Sequence, residues 1–141
     1  MTEQWLGEKK IITVALAKRL TATAESEITK RGWSMFVTIA DDTGTPVLVT
    51  SVNRPQLASF EVSVAKARAA VHFRRPTKAW EDRVLAGFPN AMSIPGVVAA
   101  EGGVPLAVDG QIVGAIGISG GTSAEDGVIA ATVIDTLKEL V

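Results

Sequence analysis

The chain has 141 residues, 47% of them hydrophobic and 21% charged, and a formal net charge of −1, which is the size and balance of one globular domain, predicted here over residues 1–141. The near-zero charge predicts no nucleic-acid partner, and the absence of a long apolar run and of a secretory signal predicts no membrane partner and a cytoplasmic location. Because the chain has no cysteine and one histidine, disulfides, thiolate chemistry and a multi-histidine metal site within one chain are excluded.

The first part of the chain predicts one helix followed by a hairpin. Apolar residues recur at every fourth position between residues 9 and 31, which is helical spacing, and Gly32 stands where a helix commonly ends. Residues 33–40 and 46–52 have the composition of strands, and the turn-forming residues 41–45 lie between them.

The middle of the chain predicts two helices and an irregular segment. Residues 60–71 keep the apolar spacing of a helix, which must end before Pro76. Thr77 can cap a shorter helix that continues through Leu85. Residues 88–103 contain two prolines and three glycines without a clear period, and long irregular stretches in compact domains are often functional.

The last third predicts a second hairpin and a final helix. Apolar strands at residues 104–108 and 111–118 flank Asp109-Gly110, a strong hairpin turn signal. A helix follows over residues 122–140. The order α-ββ-αα-ββ-α predicts an α+β fold, in which an antiparallel sheet built from the two hairpins is packed with helices.

The glycine-rich stretch GAIGISGGTSAED, residues 114–126, does not match a known phosphate loop. A Walker loop requires a lysine before its hydroxyl residue, whereas Gly121 precedes Thr122, and the GxGxxG spacing of a dinucleotide loop is also missing. The pattern GxSxG occurs around Ser119. The corresponding hydrolase fold is parallel and larger, and His72 is the chain's one histidine, so a serine hydrolase is disfavoured.

The start of the last helix has two open interpretations. Thr122 and Glu125 form a capping box, and Gly120 and Gly121 leave backbone N–H groups beside it. Because a helix N-terminus attracts anions, Ser119, Gly120, Gly121 and Thr122 are candidate ligand-binding residues. The alternative, which the sequence favours, is that acidic side chains of the first turn already satisfy these N–H groups.

Several short motifs along the chain match one protein family. They are Gly102-Gly103-Val104-Pro105, Asp109-Gly110, residues 114–121 and Glu125-Asp126, with looser matches at residues 42–44, 65–67 and 75–77. Over nearly the whole chain this pattern resembles the GlcG/HbpS-like family of haem-degrading proteins, also called DUF336. Related domains form the C-terminal part of some PduO-type corrinoid adenosyltransferases.

The resemblance implies a compact α+β fold, homo-oligomers with pockets that can lie between subunits, and haem binding or haem degradation. Haem is the one cofactor that it implies. The chain departs from the family after the second strand, where Ser51-Val52-Asn53-Arg54-Pro55 replaces a segment that commonly reads Arg-Met-Asp-Gly-Ala. The usual acidic residue is therefore missing.

Two residues are candidates for proton transfer. His72 is a candidate catalytic base or, if haem is the ligand, the metal ligand; otherwise it is a histidine at a helix end or in the core. Glu101 is a candidate general base in a desolvated site; otherwise it is a solvated loop acid. Gly102, Gly103 and Pro105 follow it as candidate ligand-binding residues, where the backbone can approach a ligand closely or make a turn.

Arg54, Arg74 and Arg75 are candidate anion-binding residues, because guanidinium groups bind carboxylates such as haem propionates or small organic acids. The alternative is ordinary surface charge. Three functions stay open: a small-molecule-binding homo-oligomer for haem or another planar anion, an enzyme that acts on a small organic acid or carbonyl compound, and a non-catalytic interaction module.

Overall fold

Within the described residues, four α-helices and four strands follow one another in the predicted order, and a 3₁₀ turn lies in the segment predicted to be irregular. The computed structural model describes residues 4–141, and residues 1–3 of the predicted domain lie outside the described residues. The elements are α1 (Val14–Lys30), β1 (Met35–Asp41), β2 (Pro46–Val52), α2 (Ser59–Phe73), α3 (Lys78–Leu85), a 3₁₀ turn (Pro89–Ser93), β3 (Gly103–Val108), β4 (Gln111–Ser119) and α4 (Ser123–Leu140). The predicted α+β class is confirmed.

All four strands form one antiparallel sheet in the order β2-β1-β4-β3. The two predicted hairpins, β1–β2 and β3–β4, supply neighbouring strands. They join through β1 and β4, which pair from Phe36 with Ser119 to Asp41 with Gly114. The first and last strands of the sheet, β2 and β3, are therefore its edges.

Large aliphatic side chains fill the space between one face of the sheet and the helices α1 and α4. These two helices also pack against each other. Burial of these side chains is the main contribution to the stability of this layer. Its fully buried members include Leu20, Ile28, Met35, Val37, Ile39, Leu106, Ile116, Ile118, Ile129, Val133 and Leu137.

The other face of the sheet is covered by α2 through small residues. A Cβ added to Gly117 of β4 would lie 2.7 Å from the backbone nitrogen of Ala67 and still closer to the carbonyl oxygen of Ser63, so the helix backbone lies directly on the strand. The hydroxyl groups of Thr38 and Ser63 form a buried hydrogen bond of 2.8 Å across this layer. The buried hydrophobic residues of the layer are Ala40, Ala67, Ala70, Val71 and Ala115.

The first helix begins later than its apolar spacing predicts. The Thr13 hydroxyl accepts a hydrogen bond from the backbone N–H of Leu16 at 3.1 Å, and this N-cap starts α1 at Val14. The preceding segment is instead tied to the turn of each hairpin by an ion pair. The two pairs, each 2.7 Å long, are Lys9–Asp42 and Lys10–Asp109.

The edge strand β3 is partly protected by Thr77, the residue that precedes α3. The Thr77 N–H donates to the Gly103 carbonyl, and the Gly103 N–H donates to the Thr77 hydroxyl, both at 2.9 Å. The predicted capping residue of α3 thus caps the sheet edge with its side chain. Pro105 lies two residues further along the same strand. Because proline has no backbone N–H, it offers no donor to another strand at this edge. Within residues 4–141, no helix is long and apolar enough to cross a membrane.

Candidate functional site

A cavity of about 340 Å³ lies between the start of β3 and α4, and we call it the β3–α4 cavity. Residues three or four positions apart on α4 lie on the same face of the helix, and that face forms one wall of the cavity. The wall is mainly apolar, and lysines and carboxylates join it. The lining residues are Pro76, Lys78, Glu101, Gly102, Gly103, Val104, Gly127, Ala131, Ile134, Asp135 and Lys138.

Three glycines bring the parts of this cavity together. The carboxylate of Glu101 lies against Gly127 of α4, where a Cβ would collide with it. A Cβ on Gly102, whose φ is +132°, would collide with the carbonyl oxygen of Ile118, and one on Gly103 with the carbonyl of Lys66. At Gly102 and Gly103 the backbone therefore lies close to other backbone atoms of the chain, and the predicted approach to a ligand stays a prediction.

A buried ion pair lies directly behind Gly102. The Lys66 ammonium donates to Asp126 Oδ2 at 2.8 Å and to the Ile118 carbonyl at 2.9 Å, and both charged side chains are 3% exposed. A Cβ on Gly102 would lie 3.0 Å from Lys66 Nζ. Burial raises the pKa of the Asp126 carboxyl above its usual range. The Lys66 ammonium and the Gly121 N–H oppose this rise only in part.

This pair joins the two helical layers across the end of the sheet, since Lys66 belongs to α2 and Asp126 to α4. Both residues lie in motifs of the family match, and Asp126 is also one of the acidic residues predicted to satisfy the N–H groups at the start of α4, but their pairing was not predicted. The signal that points to the pair is a lysine between two alanines, Ala65 and Ala67, on a helix that packs through small residues.

The start of α4 satisfies its own backbone donors, as the favoured interpretation predicts. The Thr122 hydroxyl accepts from the Glu125 N–H at 3.2 Å, and the Glu125 carboxylate accepts from the Thr122 N–H at 2.9 Å. The Asp126 carboxylate accepts from the Gly121 N–H at 2.9 Å. Ser119 is buried at the end of β4. Ser119–Thr122 therefore serve the strand-to-helix corner, and their ligand role stays a prediction.

Replacing Thr122 with alanine is expected to lower the free energy of unfolding by about 1 kcal/mol, because the capping box loses its hydroxyl acceptor. Urea unfolding followed by circular dichroism measures the loss. Thr132→Ala is the matched control, since the Thr132 hydroxyl only donates to the Val128 carbonyl within the helix. Equal effects of the two substitutions would contradict a capping role for Thr122.

His72 lies in a different cavity from Glu101. This cavity, which we call the His72 cavity, has a volume of about 660 Å³ and a mainly polar lining. His72 Nε2 lies 2.8 Å from the Thr43 carbonyl, and because a carbonyl only accepts, this nitrogen is the donor. The lining residues are Asp42, Thr43, Val71, His72, Arg74, Gly110, Gln111 and Ile112.

The three candidate arginines are separated. Arg74, which ends α2 with a φ of +54°, lines the His72 cavity. Arg75 lines a third cavity along α3. Arg54 follows β2 with a φ of +50° and lines none of these three cavities. Pro105 lies on β3, one residue beyond the β3–α4 cavity.

The β3–α4 cavity thus collects Glu101, Gly102 and Gly103 from the predicted set. Its two lysines and its α4 wall were missed, because Lys78, Ala131 and Lys138 are exposed residues on ordinary amphipathic helices. Among residues 4–141, no group of three histidine, aspartate or glutamate side chains is arranged to hold a metal ion.

Comparison with known proteins identifies the family. Residues 12–135 match the family model described as "Haem degrading protein HbpS-like". The chain is 36% identical over 111 residues to the protein GlcG of Escherichia coli K12. The aligned segment covers 79% of this chain and 83% of GlcG. The chain therefore belongs to the HbpS-like family, as its motifs predicted.

Solved structures have the same fold. The crystal structure of Klebsiella pneumoniae protein ORFY superposes with a TM-score of 0.85 at 24% identity, covering 96% of this chain and 97% of that one. The crystal structure of a PduOC:Heme complex superposes with a TM-score of 0.80 at 28% identity, covering 89% of this chain and 94% of that one.

Proposed function

We propose that this chain binds haem in the β3–α4 cavity, as one subunit of a homo-oligomer. The observation that carries the proposal is the division of the cavity lining. Val104, Ala131 and Ile134 form an apolar wall, and Lys78 and Lys138 add two cations beside the carboxylates of Glu101 and Asp135. Haem has the complementary division, with an apolar macrocycle and two anionic propionates. The family and the haem complex of a relative at 28% identity support this ligand.

Each part of the lining has a role in this proposal. The apolar wall contacts the macrocycle, and the lysine ammonium groups bind the propionates. Lys78 is now 2.9 Å from Asp82 in an exposed pair, which contributes little to stability and is therefore easily exchanged for another anion. Bound haem iron supplies redox chemistry. His72 lies in another cavity, so it does not ligate the haem iron in this proposal.

The size of the cavity supports the oligomer. A volume of about 340 Å³ encloses only part of a tetrapyrrole, and the remainder needs cover from a second chain. Apolar side chains are available for such contacts, because Trp5, Leu57 and Leu85 are each at least 79% exposed. Homodimer interfaces are more apolar than the rest of the protein surface.

The test is a haemin titration of purified protein followed at the Soret band. Native protein is expected to give a saturable shift, and Ala131→Phe is expected to bind at least about tenfold more weakly because the ring occupies the cavity. Ala124→Phe is the matched control, since Ala124 is an exposed alanine of α4 outside the lining. Light scattering on the same samples is expected to show more than one chain per particle.

Three results would contradict this proposal. An unsaturable shift in native protein would exclude specific haem binding. Equal affinities of native protein and Ala131→Phe, with binding lost in His72→Ala, would move the site to the His72 cavity. A particle mass of one chain would exclude the homo-oligomer.

A further inference from the structure

The cavity along α3, which we call the α3 cavity, holds two arginines that are stacked on aromatic rings. Its volume is about 360 Å³. The guanidinium carbon of Arg75 lies 5.2 Å from the centre of the Trp80 ring, and that of Arg83 lies 5.1 Å from the centre of the Phe88 ring. The lining residues are Arg75, Ala79, Trp80, Asp82, Arg83, Ala86 and Phe88.

The stacking orients the donors of both guanidinium groups. A guanidinium that stacks through its face keeps its N–H groups free in its own plane. Arg75 Nε already donates to the Phe73 carbonyl at 3.0 Å, so its two terminal amino groups are the donors that remain. The Trp80 ring is itself held edge-on against Phe73, with ring centres 5.2 Å apart. The platform for Arg75 is therefore fixed.

Among residues 4–141, neither guanidinium forms an ion pair with a carboxylate. In the part of the chain that the structure describes, no carboxylate lies within 4.0 Å of Arg75 or Arg83. Asp82, the acid in the cavity lining, is paired with Lys78 at 2.9 Å. By contrast, Arg31 stacks on Trp33 at 5.3 Å and pairs with Glu27 at 2.8 Å. Within the described residues, the α3 cavity therefore has two guanidinium groups that no carboxylate pairs with.

The cavity also has room and a rigid floor. Ala79 of α3 and Ala86, the residue that follows this helix, both line the cavity, and their small side chains leave space in it. Trp80 is 7% exposed, and its buried indole nitrogen has no acceptor among residues 4–141. A volume of about 360 Å³ fits a small organic molecule.

We propose that the α3 cavity binds a small molecule through an oxyanion, either a carboxylate or a phosphate, held by Arg75 and Arg83. Both anions accept paired hydrogen bonds from guanidinium groups, which is the chemistry that the two arginines offer. The α3 and β3–α4 cavities share no lining residue. The Lys78–Asp82 pair connects them, so the titration below uses protein without haem and its outcome does not depend on haem binding.

The test is a titration with succinate and, in a second arm, with inorganic phosphate, followed by two-dimensional proton–nitrogen NMR. The indole N–H signal of Trp80, assigned with Trp80→Phe, reports on the cavity. We expect a saturable shift of this signal while that of Trp33 stays unchanged. Arg75→Gln and Arg83→Gln are each expected to weaken binding at least about tenfold, because each removes a charge-assisted pair of hydrogen bonds.

Arg31→Gln is the matched control, since it removes a stacked arginine that is already neutralised and lies outside the cavity. It is expected to bind as native protein does. A shift with succinate alone assigns the site to carboxylates, and one with phosphate alone assigns it to phosphates. Absence of a saturable shift with both, an equal shift with the neutral isostere succinamide, or unchanged binding in both cavity variants would overturn the proposal.

Discussion

Lys66→Met is expected to lower the free energy of unfolding by about 3–5 kcal/mol, because it leaves the Asp126 carboxylate buried without its cation. The lost ammonium also leaves the Ile118 carbonyl without its hydrogen bond. The Gly121 N–H is then the remaining hydrogen-bond donor to Asp126. Urea unfolding at constant temperature measures the loss.

The double variant Lys66→Met/Asp126→Leu separates a buried charge from lost packing. Replacing both charged partners with apolar side chains is often close to neutral, so the double variant is expected to be more stable than Lys66→Met alone. A double variant at least as unstable as the single one would show that the lysine acts through its contacts alone.

The deficit of Lys66→Met is expected to depend on pH. Without the lysine, burial raises the pKa of Asp126 further above its ordinary value of 3.8, so the folded state holds this proton more tightly than the unfolded chain does. The contribution of this proton to the stability of the variant is therefore complete below pH 3.8, and it is lost as the pH rises through the folded-state pKa of Asp126. Relative to native protein, the deficit is largest near neutral pH; a deficit that stayed constant between acid and neutral pH would contradict this assignment.

Gly117→Ala is expected to destabilise the fold by about 3 kcal/mol, at the upper end of the usual cost of overpacking. Its Cβ would meet the carbonyl oxygen of Ser63 and the backbone nitrogen of Ala67, and neither atom can move without α2. The helix must shift away from the sheet, which also stretches the Thr38–Ser63 hydrogen bond. The midpoint of urea unfolding measures the effect.

The control for this substitution is Gly7→Ala, because no atom lies within 4 Å of a Cβ at Gly7. That variant is expected to unfold at the midpoint of native protein within error. If Gly117→Ala also kept the native midpoint, the close packing of α2 on β4 would not be a constraint on the sequence.

The predicted elements are confirmed where a local signal defines them. Four-residue apolar spacing marks α1, and the Asp109-Gly110 turn marks the β3–β4 hairpin. The pairing of β1 with β4 joins segments far apart in the chain, and no local pattern encodes it. The start of α1 was predicted too early because apolar spacing continues through Ile12, whereas the N-cap at Thr13 decides the boundary.

The candidate site was less accessible to prediction. Glu101, Gly102 and Gly103 stood out because they end a long irregular segment, and such segments are often functional. The β3–α4 cavity also needs Lys78 and one face of α4, which only the tertiary fold brings to the same place. Lys66 and Asp126 belong to elements on opposite faces of the sheet. Their pairing depends on Gly102, because a Cβ at that position would lie 3.0 Å from both side chains. Contacts of this kind follow from the path of the backbone.

The contrast between the two faces of the sheet affects how this architecture can diversify. The α2 face is closed by glycine, alanine and backbone atoms, so most substitutions there add volume to a space already filled. On α4, exposed residues such as Ala131 and Lys138 line a cavity and can change without displacing a neighbour. We therefore expect relatives to acquire new ligand specificities by substitutions on α4, while the α2 face tolerates little evolutionary drift.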